Sequence, residues 1–293
     1  MKKVLVADDD RTTRLLISEV LKDAGHQVVE AADGAAALKK LRGGKFDLVL
    51  LDVWMPRMNG LELLARLREA RSRPRVIVMT SDDTPETMLQ AVREQAYHYI
   101  SKPIEVQALA KIVRDALAAH PASPPIEVLS ARPHWVELLV PCDIEVAERI
   151  QSFLGRLKAD LSPEVRESVG AAFHELLLNA IEWGGKLDPN RKVRISYLRA
   201  QRMLMYRIAD PGPGFRFEDL EHAALSNPKD APYLHDEVRE KKGMRPGGFG
   251  ILLTKARVDE LLYNEAQNEV VFVKYLDQQP GATTSRPGLG GED

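Results

Sequence analysis

The sequence predicts two α/β units in tandem, a doubly wound five-stranded parallel sheet followed by a two-layer α/β sandwich. Three observations carry this. Over residues 1–120, short apolar runs alternate with stretches of helical periodicity, the pattern of a parallel sheet covered on both faces. Over residues 134–276, amphipathic helices and alternating strands give a sheet with helices on one side. Between them, His120-Pro-Ala-Ser-Pro-Pro125 and Ala131-Arg-Pro133 form a proline-stiffened connector over 121–133, and 293 residues suit two ordinary domains.

In the first unit, Lys3 to Ala7 is a β-branched apolar run, followed by three aspartates and a helix through Leu15, Leu16, Val20 and Leu21. Val28-Val29 gives a short strand and Ala35 to Leu41 a helix. Phe46 to Leu51 is the third strand, ending at Asp52, and Leu61 to Leu67 is helical. Val76 to Met79 leads to Thr80, Glu86 to Arg93 is helical, and Tyr99-Ile100 precedes Lys102-Pro103. Val106 to Ala119 is the last helix of this unit.

In the second unit, His134 to Val140 is a strand and Asp143 caps a helix running to about Ala159. Ser162-Pro163-Glu164 opens the next helix, because Ser caps, Pro suits the first turn and Glu suits the positive end. That helix is expected to end at Gly184-Gly185. Val193, Ile195 and Tyr197 alternate in a strand, and Met203 to Ala209 forms the next. Val258 to Tyr263 and Glu269 to Tyr275 close the sheet as a hairpin. The polar run between Phe215 and Arg245 is long for a compact domain and is expected to act as a lid. Residues 277–293 are disordered by composition.

Charge is close to balance, with 41 Lys+Arg against 43 Asp+Glu, which argues against non-specific nucleic-acid binding. Cys142 is the single cysteine, which excludes an internal disulfide framework and fits a reducing compartment. The basic start and the apolar run Val4 to Ala7 imitate a signal peptide, but three aspartates end the run. No run approaches transmembrane length. The expectation is a soluble cytoplasmic protein with no membrane partner.

Polar residues collect where a parallel sheet does its chemistry, beyond the carboxyl ends of its strands. Asp8 and Asp9 follow strand one, Asp52 strand three, Thr80 strand four and Lys102 strand five. Singly, each is an ordinary turn residue. Together they are a site. Carboxylates about 5 Å apart repel by roughly 3 kcal/mol per pair at an effective dielectric near 20, so the set calls for a divalent cation or a bound proton. A hard cation with open positions suits Mg2+ holding a phosphoryl group, with Asp52 as nucleophile, Lys102 neutralising the phosphoryl oxygens and Thr80 hydrogen-bonding one of them.

Residues 1–120 resemble the response-regulator receiver, including Asp52-x3-Pro56-x2-Asn59-Gly60 and Lys102-Pro103. The resemblance implies a flavodoxin-like fold, Asp52 as phosphorylation site, Asp8 and Asp9 as the metal pair, and Thr80 with Tyr99 as switch residues. Trp54 lies where receivers commonly ligate the metal through a backbone carbonyl. One departure stands out: Arg93-Glu-Gln-Ala-Tyr97 lacks the small Gly-Ala pair usual before strand five.

In the second unit Glu175 and Asn179 are four apart, so both polar tips leave one face of an otherwise apolar helix. A carboxylate base beside an amide oxygen suits phosphoryl transfer from Mg-ATP, although alone the pair also reads as a solvated stripe. Asp210-Pro-Gly-Pro-Gly-Phe215 follows a strand, and Arg245-Pro-Gly-Gly-Phe-Gly-Ile251 runs into a helix, where backbone N–H groups can approach an anion.

Glu-x3-Asn, Asp-x-Gly-x-Gly and Gly-x-Gly in this order resemble the GHKL ATPases and their Bergerat fold. Within that family the wording of Gly248-Phe-Gly-Ile251 and Asn268 to Tyr275 is similar to the anti-sigma-factor serine/threonine kinases of bacterial partner switching. The resemblance implies Mg2+ held by Asn179, Glu175 as general base for a serine hydroxyl, and Asp210 accepting from the adenine amino group. Gly212 and Gly214 would let the base pack close, and Gly248 and Gly250 would present N–H groups to the phosphates of ATP. Arg245 or Lys242 would meet the γ-phosphate. The implied partners are an upstream histidine kinase, a STAS-domain anti-sigma-factor antagonist, a sigma factor and a second copy of the chain. His174-Glu175-Leu176 imitates the phosphoacceptor signature of histidine kinases, but no two-helix dimerisation hairpin precedes it, and His174 reads as a packed side chain.

Overall fold

The computed structural model describes residues 1–68, 73–82, 84–118, 124–132, 134–157, 160–216 and 249–276. The first unit runs β1 (Lys3–Ala7), α1 (Arg11–Asp23), β2 (Gln27–Ala31), α2 (Gly34–Gly43), β3 (Leu48–Asp52), α3 (Gly60–Arg68), β4 (Arg75–Thr80), α4 (Pro85–Arg93), β5 (His98–Ser101) and α5 (Val106–Ala118). The strands are parallel in the order β2-β1-β3-β4-β5.

Strand alternation divides the interior in two. Leu5, Val49, Leu51, Val76 and Val78 face one layer of helices, and Val4, Val6, Leu48, Leu50, Ile77 and Met79 face the other. Asp10, Asp33 and Thr84 cap α1, α2 and α4 by accepting from first-turn N–H groups, which fixes where each helix leaves the strand ends.

The second unit runs β6 (Glu127–Arg132), β7 (Trp135–Pro141), α6 (Ile144–Arg156), α7 (Pro163–Asn179), a π-helical turn (Ala180–Gly184), β8 (Lys192–Arg199), β9 (Met203–Ala209), α8 (Gly250–Arg257), β10 (Glu260–Tyr263) and β11 (Glu269–Tyr275). Its sheet is antiparallel, in the order β10-β11-β9-β8-β7-β6. Tyr197, Tyr206 and Phe272 stand in register across β8, β9 and β11. Tyr206 stacks on Phe272 at 5.0 Å with 13° between planes and lies 5.0 Å from Tyr197. Phe173 of α7 comes within 5.1 Å of Tyr206, so an aromatic block fastens the helix that carries Glu175 and Asn179 to the sheet.

Three expectations need correction. The connector expected over 121–133 contributes β6, which pairs along the outer edge of β7. Helix α7 does not continue to Gly184-Gly185 as an α-helix. It widens into the π turn just after Asn179, with Gly185 N–H donating to Ala180 O at 2.8 Å. Val258 is not in the final hairpin, since it closes α8 before β10 begins at Glu260. Residues 217–248, which include most of the lid expected between Phe215 and Arg245, and the tail 277–293 lie outside the described residues, and with them Lys242, Arg245 and Gly248. Among the described residues no helix is long and apolar enough to cross a membrane.

Because Phe173 is 1 % exposed and joins α7 to the aromatic block, Phe173→Ala should cost about 3–5 kcal/mol in the unfolding transition of the second unit. Chemical denaturation followed by near-ultraviolet circular dichroism would measure it, and a loss under 1 kcal/mol would refute the packing described.

Candidate functional site

The strand ends of the first unit bring their predicted residues together. Asp52 is the last residue of β3, Thr80 the last of β4, and Lys102 follows β5. The Lys102 ammonium lies 2.9 Å from Asp8 Oδ2 and 3.0 Å from Asp52 Oδ2. Ligand oxygens of Asp8, Asp9 and Asp52 all fall within 4.8 Å of one another. Asp8, Asp52 and Thr80 are buried, while Asp9 is exposed at the rim.

Backbone contacts hold this cluster. Asp10 N–H donates to Asp8 Oδ1 at 3.0 Å, and the Arg14 guanidinium donates to the Asp8 carbonyl at 2.7 Å. Gly60 backs the nucleophile so closely that an added Cβ would lie 2.0 Å from the Asp52 carbonyl oxygen. Burial raises the Asp52 pKa above the ordinary carboxylate value, Lys102 opposes it, and the neighbouring Asp8 adds to the rise. Asp8 is likewise raised by burial against the pull of Lys102. Burial alone would lower the pKa of Lys102, but the two carboxylates outweigh it and raise it. Three carboxylates, two of them paired with one ammonium, form an oxygen-only donor set that fits a hard divalent cation.

The second unit gathers its residues along α7. Glu175 lies at the mouth of α8, where a Cβ on Gly250 would come 2.5 Å from Glu175 Oε2. Asn179 is one turn further, both residues being half-buried. At the far side of the π turn, a Cβ on Gly184 would meet the Asp210 carboxyl at 2.2 Å. Asp210 Oδ1 accepts from Gly212 N–H at 2.7 Å. Burial raises the Asp210 pKa, while the Gly212 N–H, Arg191 and Lys186 hold it back. Gly214 has φ +85°, and a Cβ there would overlap the Ala266 carbonyl oxygen at 1.6 Å.

The sequence assigned no role at the site to several supporting residues. Gly184 makes room for Asp210. Asn268 holds the Asp210 turn from the β10–β11 hairpin, its carbonyl accepting from Asp210 N–H at 2.8 Å and its Nδ2 donating to Gly212 O at 3.0 Å. Arg191 donates to the Pro211 carbonyl at 2.5 Å. Asn268 closes a strand-to-strand turn and Gly184 ends a helix, so neither carries a local signal distinct from ordinary capping and turn use.

A carboxyl with a raised folded-state pKa binds protons more tightly in the folded chain, so it weakens the fold as pH rises from the ordinary carboxylate range through its raised value. Asp52→Asn should therefore stabilise the first unit near neutral pH. The gain should fade on acidification, and millimolar Mg2+ should narrow it by stabilising the wild type through mass action. Thermal unfolding across pH tests this, and a gain that is independent of pH would contradict it.

A family model described as the response regulator receiver domain matches residues 4–114, and one described as the histidine kinase-like ATPase domain matches residues 141–274. Sporulation initiation phosphotransferase F of Bacillus subtilis is 32% identical over 116 residues, which is 40% of this chain and 94% of that protein. The DNA-binding transcriptional regulator NtrC of Azospirillum brasilense is 34% identical over 126 residues, 42% of this chain and 26% of that protein. The structure of chemotaxis protein CheY4 of Vibrio cholerae aligns over 40% of this chain and 99% of its own, at 33% identity and a TM-score of 0.39. The chain spans about a quarter of the length of the NtrC relatives. It belongs to the response regulators, with a receiver domain of that family joined to a histidine kinase-like ATPase domain.

Proposed function

We propose that this chain is a response regulator whose output domain is an ATP-dependent protein serine/threonine kinase, controlled by phosphorylation of Asp52. The observation that carries the reading is the placement of Glu175 directly against Gly250, with Asn179 one turn on and Asp210 at the other end of the same helical segment. In the receiver, an Asp52 carboxylate oxygen attacks the phosphorus of a phosphohistidine on an upstream histidine kinase. The P–N bond breaks, an acyl phosphate forms, and Lys102 moves with the added charge. Asp8, Asp9 and Asp52 would hold Mg2+, which neutralises charge on the transferring group.

In the ATPase domain, Asp210 accepts from the adenine amino group, and Gly212 and Gly214 leave room for the base. Gly250 and, outside the described residues, Gly248 present N–H groups to the phosphates, and Asn179 would hold Mg2+ there. Glu175 takes the proton from an incoming serine or threonine hydroxyl as its oxygen attacks the γ-phosphorus and ADP leaves. The substrate class is a STAS-domain anti-sigma-factor antagonist, with a sigma factor as a further partner and a homodimer as the working form. Direct attachment of the ATPase domain supports a serine/threonine acceptor over a histidine one. Among the described residues the first element after the receiver is the sheet strand β6, and His174 is half-buried beside Glu175.

Incubation with acetyl phosphate and Mg2+ should give a hydroxylamine-sensitive acyl phosphate on Asp52, absent in Asp52→Asn and formed more slowly in Lys102→Ala. Persistence of the label in Asp52→Asn would sink the receiver assignment. With ATP and a candidate antagonist, mass spectrometry should find phosphoserine or phosphothreonine. Glu175→Ala should slow its formation by about 10²–10⁴-fold with ATP binding kept, and Asp210→Asn should weaken ATP binding about tenfold or more. Phosphate on histidine alone would instead support an atypical hybrid histidine kinase. Tight ATP binding without transfer would support a nucleotide-gated module that sequesters its partner.

A further inference from the structure

The turn that presents Asp210 is gripped from outside along its length. The Asn268 carbonyl accepts from Asp210 N–H at 2.8 Å, Arg191 donates to the Pro211 carbonyl at 2.5 Å, and Asn268 Nδ2 donates to the Gly212 carbonyl at 3.0 Å. The Asn268 amide is itself aimed by Asn264. Asn264 Nδ2 donates to Asn268 Oδ1 at 2.8 Å, and Asn264 Oδ1 accepts from Glu269 N–H at 3.1 Å. With its oxygen taken by Asn264, Asn268 turns its donor end to Gly212. The same hairpin supports the rest of the loop. Phe215 N–H donates to the Ala266 carbonyl at 3.2 Å, and the Phe215 ring meets Tyr263 edge-on at 5.8 Å.

Inside the turn the Asp210 carboxylate is held as well. Its Oδ1 accepts from Gly212 N–H at 2.7 Å, and Gly184 packs so closely that a Cβ there would collide with the carboxyl. Oδ2 remains to accept from a base. A carboxylate does not choose between purines by its chemistry alone. Adenine offers its N6 amino group where guanine carries the O6 carbonyl oxygen. Guanine offers instead two neighbouring donors, N1–H and the N2 amino group, which suit both oxygens of a carboxylate that is free to turn. Selection of adenine therefore depends on where the carboxylate is fixed, and on Oδ1 being engaged within the turn.

We infer that Asn268 is a positioning residue for the base pocket, and that its side-chain amide sets a preference for adenine over guanine by fixing the turn from Asp210 to Gly212. The inference rests on reading Asp210 as the acceptor for the adenine amino group. Asn268 acts through Gly212: its amide holds the Gly212 carbonyl, and Gly212 N–H in turn holds Asp210 Oδ1. Without the amide the turn loses this tether, Oδ1 is released, and both carboxylate oxygens become open to the paired donors of guanine.

Calorimetric titration of the full chain with Mg2+ and non-hydrolysable analogues of ATP and GTP measures the preference. Asn268→Ala should lower the adenine-to-guanine affinity ratio about 3–10-fold, the worth of one neutral hydrogen bond, chiefly by weakening the ATP analogue. Asn268→Asp keeps the shape but sets an acceptor against the Gly212 carbonyl, and should lower the ratio at least as far. Asn264→Ala, at an exposed position, should lower it by a smaller factor and decides the matter if both Asn268 changes impair folding. A merely structural role would weaken both analogues by one factor, and that result, or no change, overturns the proposal. Asp210→Asn separates the two readings. If it binds the ATP analogue as tightly as wild type, or if wild type binds neither analogue, the adenine reading fails and the positioning role with it. If Asp210→Asn loses the ATP analogue while the Asn268 variants keep the wild-type ratio, only the positioning role fails.

Discussion

One ammonium among carboxylates organises the receiver. Asp8 and Asp9 follow β1 and Asp52 ends β3, and without a positive centre their mutual repulsion would be several kcal/mol at the dielectric of a protein surface. Lys102 supplies that centre from the end of the fifth strand, and the parallel sheet supplies the rigidity that keeps like charges together. The arrangement leaves carboxylate oxygens in excess of cationic charge. That imbalance is what makes the pocket receptive to a divalent cation and a transferred phosphoryl group.

The ATPase domain meets a similar chemical problem by removing side chains. Gly184, Gly212, Gly214 and Gly250 stand where any Cβ would collide with the Asp210 carboxyl, a backbone oxygen or Glu175. The π turn after Asn179 brings Gly184 against Asp210, and Asn268 ties that turn to the last hairpin. The aromatic block of Phe173, Tyr197, Tyr206 and Phe272 holds α7 against the sheet, so the polar tips of Glu175 and Asn179 are presented by a fixed helix. Packing here serves positioning.

Much of this was legible in the residue order. The strand runs of the receiver are short and bounded by polar residues, so Asp8, Asp52, Thr80 and Lys102 could be assigned to strand ends before any coordinates. The α7 cap at Ser162 and the alternation of Val193, Ile195 and Tyr197 were equally plain, because caps and pleats depend on near neighbours. β6 was missed because its flanking prolines read as connector, while its strand character depends on an edge of β7 that lies beyond the next turn. The π turn was missed because its sequence, Ala180 to Gly184, carries the same apolar pattern as the helix before it.

By itself the sequence determined two α/β units, most of their strand and helix order apart from β6 and the π turn, and the residue types brought to each site. Periodicity, capping and turn chemistry act over a few residues, and this information is written locally. The tertiary structure alone decided that Tyr97 faces Arg149 and Glu145, that Phe153 meets Tyr99, and that Asn268 braces Asp210. Those pairings join segments some 50 residues apart, and they exist only because separately folded faces have the shape and charge to bury one another.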